Sequence, residues 1–116
     1  MATGLTTQPS TLFSVQASSA NRQTTIVCTG KLIVNTAAEF ATECKKWIEC
    51  SSSIIVDVGG LTYMDSAGLG SLVSGYTSAK KSGCEFQLVN VTTRIMHLLQ
   101  LTNLDKVLQP TTENLL

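Results

Sequence analysis

Apolar and polar residues alternate near the start of the chain and recur at helical spacing further on. Residues 13–18 alternate strictly between the two classes, which is typical of a half-buried strand. Residues 24–30 predict a second strand that ends at Gly30. The two strands are expected to pair as a hairpin, although the connection, residues 18–23, is longer than a tight turn.

A helix and a buried strand are predicted next. Thr36 and Glu39 have the spacing of a capping box, in which a hydroxyl and a carboxylate satisfy the first free N–H groups of a helix. Apolar residues then recur at helical spacing from Ala37 to about Glu49. Residues 53–58 are continuously apolar and β-branched but for one serine and one aspartate, which favours a strand covered by helices on both sides. The glycine pair 59–60 is expected to end that strand.

The second half of the chain repeats this alternation. A helix is predicted over residues 66–81, ended by Ser82-Gly83, then a strand over 85–91 and a third helix over 92–101. The second helix is expected to turn these side chains toward the core: Leu69, Leu72, Val73, Tyr76 and either Ala79 or Lys80. The closing segment is expected to pack through Leu104, Val107 and Leu108, with a last helical turn starting at Thr111 or Thr112 with Glu113.

This order of elements predicts one α/β domain. The expected core is a mostly parallel sheet of four to five strands with helices packed against it. With 116 residues the chain has room for one hydrophobic core. Residues 1–11 are expected to form a flexible tail, and residues 12–116 the domain.

Charge and hydropathy exclude several partners. Eight basic residues balance eight acidic ones without a basic cluster, so nothing indicates nucleic-acid binding. The longest purely aliphatic stretch is 54–56, far short of the roughly 20 residues that a membrane span needs. The N-terminus lacks the basic and apolar blocks of a signal peptide, so a cytoplasmic protein is expected.

Four cysteines are present, at positions 28, 44, 50 and 84. No C-x-x-C pair occurs among them and no histidines accompany them, which argues against a zinc site. The even count leaves disulfides open, but nothing in the sequence suggests secretion. Buried reduced thiols are therefore the favoured interpretation.

The stretch LTYMDSAGLGSLVSG, residues 61–75, begins where a buried strand ends and continues into the second helix. Asp65 or Ser66 is a natural cap for that helix, and capping alone would explain both residues. Yet each glycine in a helix interior costs about 1 kcal/mol against alanine, and this helix contains three. Gly68 and Gly75 share a face near Ser71 and Ser78. We expect this small, uncharged face to let another protein approach closely.

Catalysis is poorly supported. A nucleophile elbow requires G-x-S-x-G, and Met64 stands where the first glycine would be. The one histidine, His97, is predicted to lie on a solvated helix face with Arg94 and Gln100. No G-K-[ST] follows Gly60, so a phosphate-binding P-loop is not indicated. We expect a protein that is not an enzyme.

Three stretches, 29–40, 54–73 and 86–108, resemble the STAS domain of bacterial anti-sigma factor antagonists. The D-S-A-G-L-G core that follows a strand is the specific part of the resemblance. It implies that Ser66 is phosphorylated by an anti-sigma factor that is itself a GHKL-type serine kinase. The unphosphorylated antagonist would sequester that kinase and free the sigma factor, and a phosphatase would reset the switch. No cofactor or metal is implied.

The resemblance also suggests the residues that contact the partner. These are Asp65, Ser66, Ala67, Gly68, Leu69, Ser71, Gly75 and Asn35. Relatives commonly carry an acid in the loop after G-x-L, where this chain has Ile33, and Asn35 is the nearest polar substitute. An alternative is a STAS subunit of a stress-signalling complex or of a membrane transport system.

Phosphorylation at Ser66 is expected to act locally. A phosphate adds about −1.5 to −2 charges and three acceptor oxygens. The N–H groups at a helix N-terminus can hold a phosphate without refolding the domain. Asp65 beside it would not neutralise the new charge, so the switch is expected to work on the docking surface by repulsion and bulk.

Overall fold

The computed structural model describes residues 12–112 and contains one four-stranded sheet. Its strands are β1 (Phe13–Ala20), β2 (Gln23–Leu32), β3 (Ser53–Met64) and β4 (Glu85–Val89), and they lie side by side in that order. β1 pairs with β2 antiparallel, whereas β2, β3 and β4 are parallel. The predicted α/β fold with a mostly parallel sheet is therefore confirmed.

Within residues 12–112 four helices accompany the strands. They are α1 (Ala37–Ile48), α2 (Ser66–Lys81), α3 (Thr93–Leu101) and α4 (Asp105–Leu108). α1 and α2 contact each other and cover the same face of the sheet, because Gly75 of α2 lies against Cys44 of α1 and Phe86 of β4. None of the helices within residues 12–112 is long and apolar enough to cross a bilayer.

The core lies between that face of the sheet and the two helices, and the same cluster includes Ile95 and Leu99 of α3. The strand register places Ile26, Val56 and Leu88 side by side, and all three are fully buried. Phe40 of α1 and Leu72 of α2 are buried to the same degree. The aliphatic composition thus gives a core with few aromatic side chains, held mainly by removal of Ile, Leu and Val surface from water.

The connection between β1 and β2 is shorter than the sequence suggested. The strands extend to Ala20 and Gln23 and leave a two-residue turn, Asn21-Arg22, with φ of 53° and 65°. Positive φ at both central positions is the geometry that matches the twist of a hairpin. The expectation of a long connection was wrong because asparagine tolerates the left-handed region and the following arginine adopts it as well.

β3 does not end at Gly59-Gly60 but continues to Met64. Gly60 lies opposite Thr29 in the register with β2, and a Cβ there would overlap the Thr29 side chain. Gly60 therefore permits close strand contact where the register shifts, and the glycine pair does not terminate the strand. β4 ends earlier than predicted, at Val89, because Asn90 adopts a φ of 56°.

The predicted capping box of α1 is absent. Thr36 is buried, and its hydroxyl donates to the carbonyl of Lys31 at 2.7 Å and accepts from the N–H of Ile33 at 2.9 Å. Thr36 makes no side-chain bond to the first turn of the helix. Its hydroxyl instead closes the loop after β2, so that expectation was wrong.

Most of the predicted core positions of α2 are confirmed. Leu69, Leu72 and Ala79 are buried, Val73 and Tyr76 are half-buried, and the alternative Lys80 is exposed. In the closing segment Leu108 is buried and Leu104 half-buried, but Val107 is exposed, contrary to expectation. The predicted tail of residues 1–11 and Glu113 of the predicted last turn lie outside the described residues.

The cysteines are free thiols. Cys28, Cys44 and Cys84 are buried as expected, whereas Cys50 follows the end of α1 and is exposed, so its predicted burial was wrong. Burial raises the pKa of Cys44 to about 12 and that of Cys28 further still. Within residues 12–112 no group of His, Cys, Asp or Glu side chains is arranged to hold a metal ion.

Candidate functional site

Asp65 stands at the junction between β3 and α2 and holds two segments together. One carboxylate oxygen accepts the N–H of Gly68 at 2.9 Å and so caps the helix. The other accepts the N–H of Val34 at 3.1 Å, in the loop that follows β2. Asp65, and not Ser66, is therefore the helix cap, and it also ties residues 33–35 to the start of α2.

The same hydrogen bonds keep the carboxylate charged. The Gly68 N–H, helped by the Val34 N–H, holds the pKa of Asp65 below its usual range, against a smaller opposing effect of desolvation. Asp65 therefore carries a full negative charge at neutral pH beside the first residue of the helix.

Ser66 is exposed, and within residues 12–112 its hydroxyl has no hydrogen-bond partner. Because Asp65 already satisfies the cap, this hydroxyl has no structural task in the described part of the chain. It points from the first position of a sixteen-residue helix, where backbone N–H groups are unpaired and the helix dipole is positive. Such an oxygen is chemically available for modification.

The loop before α1 lies beside this serine through the Val34–Asp65 bond. Ile33 is half-buried, whereas Val34 and Asn35 are exposed. Asn35 therefore adds a polar, water-exposed amide to the loop that Asp65 holds.

The small-residue face of α2 is not accessible, contrary to the sequence-based expectation. Gly68 is buried, and a Cβ there would overlap the carbonyl group of Leu32. Ser71 is buried, and its hydroxyl donates to the carbonyl of Gly68 at 2.6 Å. Leu69 is buried as well. These residues let the helix approach β2 closely.

Gly75 also lies inside the domain, where α2 meets α1 and β4. It is buried, and a Cβ there would lie 3.4 Å from the Cys44 sulfur and 3.4 Å from the Phe86 ring. Along the first three turns of α2 the exposed positions are instead Ser66, Gly70, Ser74 and Thr77, and Ala67 is half-buried. Their spacing of three to four residues places them on one face of the helix, and this spacing is visible in the sequence.

Comparison with known proteins identifies the domain. A family model described as the STAS domain matches residues 14–115. The chain belongs to the STAS domain family. The resemblance to STAS domains seen in the sequence is thereby confirmed.

Solved STAS-type structures superpose well on this STAS domain at low identity. An anti-sigma factor antagonist from Mycobacterium paratuberculosis gives a TM-score of 0.76 at 17% identity, covering 85% of each chain. Bacillus SpoIIAA in its phosphorylated form gives 0.68 at 19% identity, covering 86% of this chain and 93% of that one. A sulfate transporter family protein from Wolinella succinogenes gives 0.72 at 15%, covering 83% and 81%. These likenesses establish the shared fold.

In this STAS domain the motif residues fall into two groups. Asp65, Ser66 and Ala67 form a half-buried to exposed edge next to Asn35. Gly68, Leu69, Ser71 and Gly75 lie inside and shape the packing of the helix.

His97 is exposed together with Arg94 and Gln100, as predicted from its helical neighbours.

Proposed function

We propose that this STAS domain is an anti-sigma factor antagonist whose binding to a GHKL-type anti-sigma kinase is switched by phosphorylation of Ser66. The observation that carries the proposal is the exposed Ser66 hydroxyl, free of any bond within residues 12–112, on a helix capped by its neighbour Asp65. The phosphorylated form of Bacillus SpoIIAA, a structural neighbour, supports it. The domain acts as a kinase substrate and a binding module and catalyses no reaction.

The switch follows from charge at one edge of the domain. The unphosphorylated surface around Ser66 comprises Asp65, Ala67 and Asn35 and carries one negative charge, on Asp65. A phosphate would add about −1.5 to −2 charges next to it. The Asp65 carboxylate would keep its hydrogen bonds to two backbone N–H groups. We therefore expect phosphorylation to leave the fold unchanged. The partner is released because this edge then carries a bulky phosphate next to the Asp65 carboxylate, and both groups are negatively charged.

The test is phosphorylation with a purified anti-sigma kinase of the GHKL type from the same organism, with ATP, followed by intact mass measurement. We expect the mass of one phosphate on the natural chain and none on Ser66→Ala. Ser74→Ala, at another exposed serine of the same helix, is the matched control and should be phosphorylated normally. The kinase should co-elute with the unmodified chain, and phosphorylation should abolish co-elution. A mass gain that survives Ser66→Ala refutes the assignment.

The likeness to a sulfate transporter family protein favours one second candidate. In that case the domain would be a regulatory subunit of a membrane transport system or of a stress-signalling complex. Affinity capture from a lysate separates the two, because recovery of a transporter instead of a GHKL-type kinase would favour the second. We place the protein in the cytoplasm under either candidate.

A further inference from the structure

An open groove of about 270 Å³ lies between the end of β3 and α3, and most of its lining is apolar. The apolar residues are Tyr63, Met64, Ile95, Leu98 and Leu101. None of the candidate partner-binding residues around Ser66 lines it. The groove is therefore a separate feature of the surface.

Two of the lining side chains expose an unusual amount of apolar surface. Leu101 is 71% exposed and Tyr63 is 48% exposed, on the two elements that form the groove. A small domain that exposes large apolar side chains next to one another commonly uses them to bind another protein.

The groove lining carries one formal positive charge, on Arg94. No aspartate or glutamate lines the groove within residues 12–112. Within residues 12–112 Arg94 forms no ion pair. On α3, Arg94, His97 or Leu98, and Leu101 succeed one another at spacings of three to four residues and so share one face of the helix. The groove thus combines an apolar floor with a positive charge beside it. A basic segment should therefore bind there more weakly than an acidic one.

The groove is also close to Ser66. Met64 lines it and precedes Ser66 by two residues, so their Cα atoms are at most about 7 Å apart. That distance is shorter than the Debye length of about 10 Å at 0.1 M salt. An acidic segment that covers Met64 would therefore come within range of repulsion by a phosphate on Ser66.

We propose that this groove docks an acidic amphipathic helix of the partner protein, with a leucine-like side chain on the floor and carboxylates toward Arg94. The proposal rests on the proposed function only for the identity of that partner. It adds a second contact, made by residues other than those of the serine edge, and it specifies that the docked segment is acidic. Repulsion between this segment and phosphorylated Ser66 would then reinforce release.

Fluorescence anisotropy with two labelled helical peptides tests the docking without any kinase. Both carry leucine at positions i, i+3, i+4 and i+7 and alanine elsewhere, except at three outward positions that are glutamate in one peptide and lysine in the other. We expect the glutamate peptide to bind at least about tenfold more tightly. Leu101→Ser should weaken binding of the glutamate peptide about tenfold, since it removes an exposed leucine that the bound peptide would cover. Arg94→Gln should weaken it severalfold and flatten its dependence on salt.

Val107→Ser is the matched control, because Val107 is also an exposed apolar residue, at 43%, and does not line the groove. Its affinity for the glutamate peptide should equal that of the natural chain. Absence of binding, equal binding of both peptides, or an equal loss in Val107→Ser would overturn the proposal. A dimer in sedimentation that Leu101→Ser dissociates would assign the groove to a second copy and overturn it as well. Because no kinase is used, these outcomes are independent of whether Ser66 is phosphorylated.

Discussion

The carboxylate of Asp65 accepts a hydrogen bond from the backbone N–H of Val34 at 3.1 Å, across the gap between two loops at one edge of the sheet. Its other oxygen caps α2 at Gly68. One side chain therefore positions the helix that carries Ser66 and the loop that carries Asn35. This arrangement leaves the serine hydroxyl free and gives the edge a fixed shape.

Replacing Asp65 with alanine removes both bonds, so it should loosen the loop and fray the first turn of α2. We expect a melting temperature lower by about 5 °C at pH 7, the scale for loss of a helix cap in a domain of this size. Amide exchange at Val34 should become faster. Asp65→Asn keeps one acceptor oxygen, so its melting temperature should lie between those of the natural chain and Asp65→Ala. Unchanged exchange at Val34 in Asp65→Ala would show that the loop is held by other contacts.

The contribution of Asp65 should also depend on pH. Its pKa in the folded chain lies below the ordinary value of 3.8, chiefly because of the Gly68 N–H. As the pH falls, the unfolded chain therefore takes up the proton first, and acid favours unfolding. The stability gap between the natural chain and Asp65→Asn should be complete at pH 6 and close as the pH falls below 3.8 toward the folded-state pKa. Thermal melts of both proteins from pH 6 to pH 2.5 measure it, and a gap that persists at the acid end contradicts this assignment.

The glycines of α2 should respond in opposite ways to the same substitution. Gly68→Ala places a methyl group on the carbonyl of Leu32, so it should lower the free energy of unfolding by about 1–3 kcal/mol, as overpacking does. Gly70→Ala meets no atom within 4 Å and should stabilise the helix by up to about 1 kcal/mol. Urea denaturation of both variants gives the two values. Equal effects would mean that α2 does not lie against β2 as described.

The order of the elements was predictable because it depends on local periodicity. The helical spacing of residues 37–48 and the β-branched run at 54–56 each indicate one type of element, and both were found. Errors arose where a residue type permits two structures. The Gly59-Gly60 pair was predicted to end the strand, but it lies inside β3. A glycine is required at position 60 because the Thr29 side chain of the neighbouring strand leaves no room for a Cβ.

Local sequence patterns predicted where the candidate site begins but not which of its residues are exposed. Asp65 and Ser66 could be placed at a helix start from the preceding strand and the following pattern. The role of Gly68 and Gly75 could not, because small residues suit an open face and a closely packed one equally well. The choice depends on Leu32, Cys44 and Phe86, which are distant in sequence. The substitution Gly75→Arg, which would probe an open face, would instead disrupt the core.

The four cysteines should differ sharply in reactivity. Cys50 is exposed, whereas Cys28, Cys44 and Cys84 are buried and their pKa values are raised by desolvation. Because the thiolate is the reactive form, one thiol per folded chain should react rapidly with Ellman's reagent and all four in denaturant. Cys50→Ser should remove the rapid phase and Cys84→Ser should leave it. A rapid phase that remains in Cys50→Ser would place a second thiol at the surface.

Phosphorylation of Ser66 should alter the spectrum of the domain only near the edge that Asp65 organises. The phosphate lies at the N-terminus of α2, so amide signals of Val34, Asn35 and residues 64–70 should shift in ¹H–¹⁵N spectra. The fully buried Ile26 and Val56 of the sheet should keep their positions, since no packing contact changes. The Ser66→Asp variant should move the same signals less, because it adds a smaller charge than the −1.5 to −2 or so of a phosphate. Shifts spread across β2 and β3 would mean that the modification repacks the core, and a local change of charge would then no longer account for release of the partner.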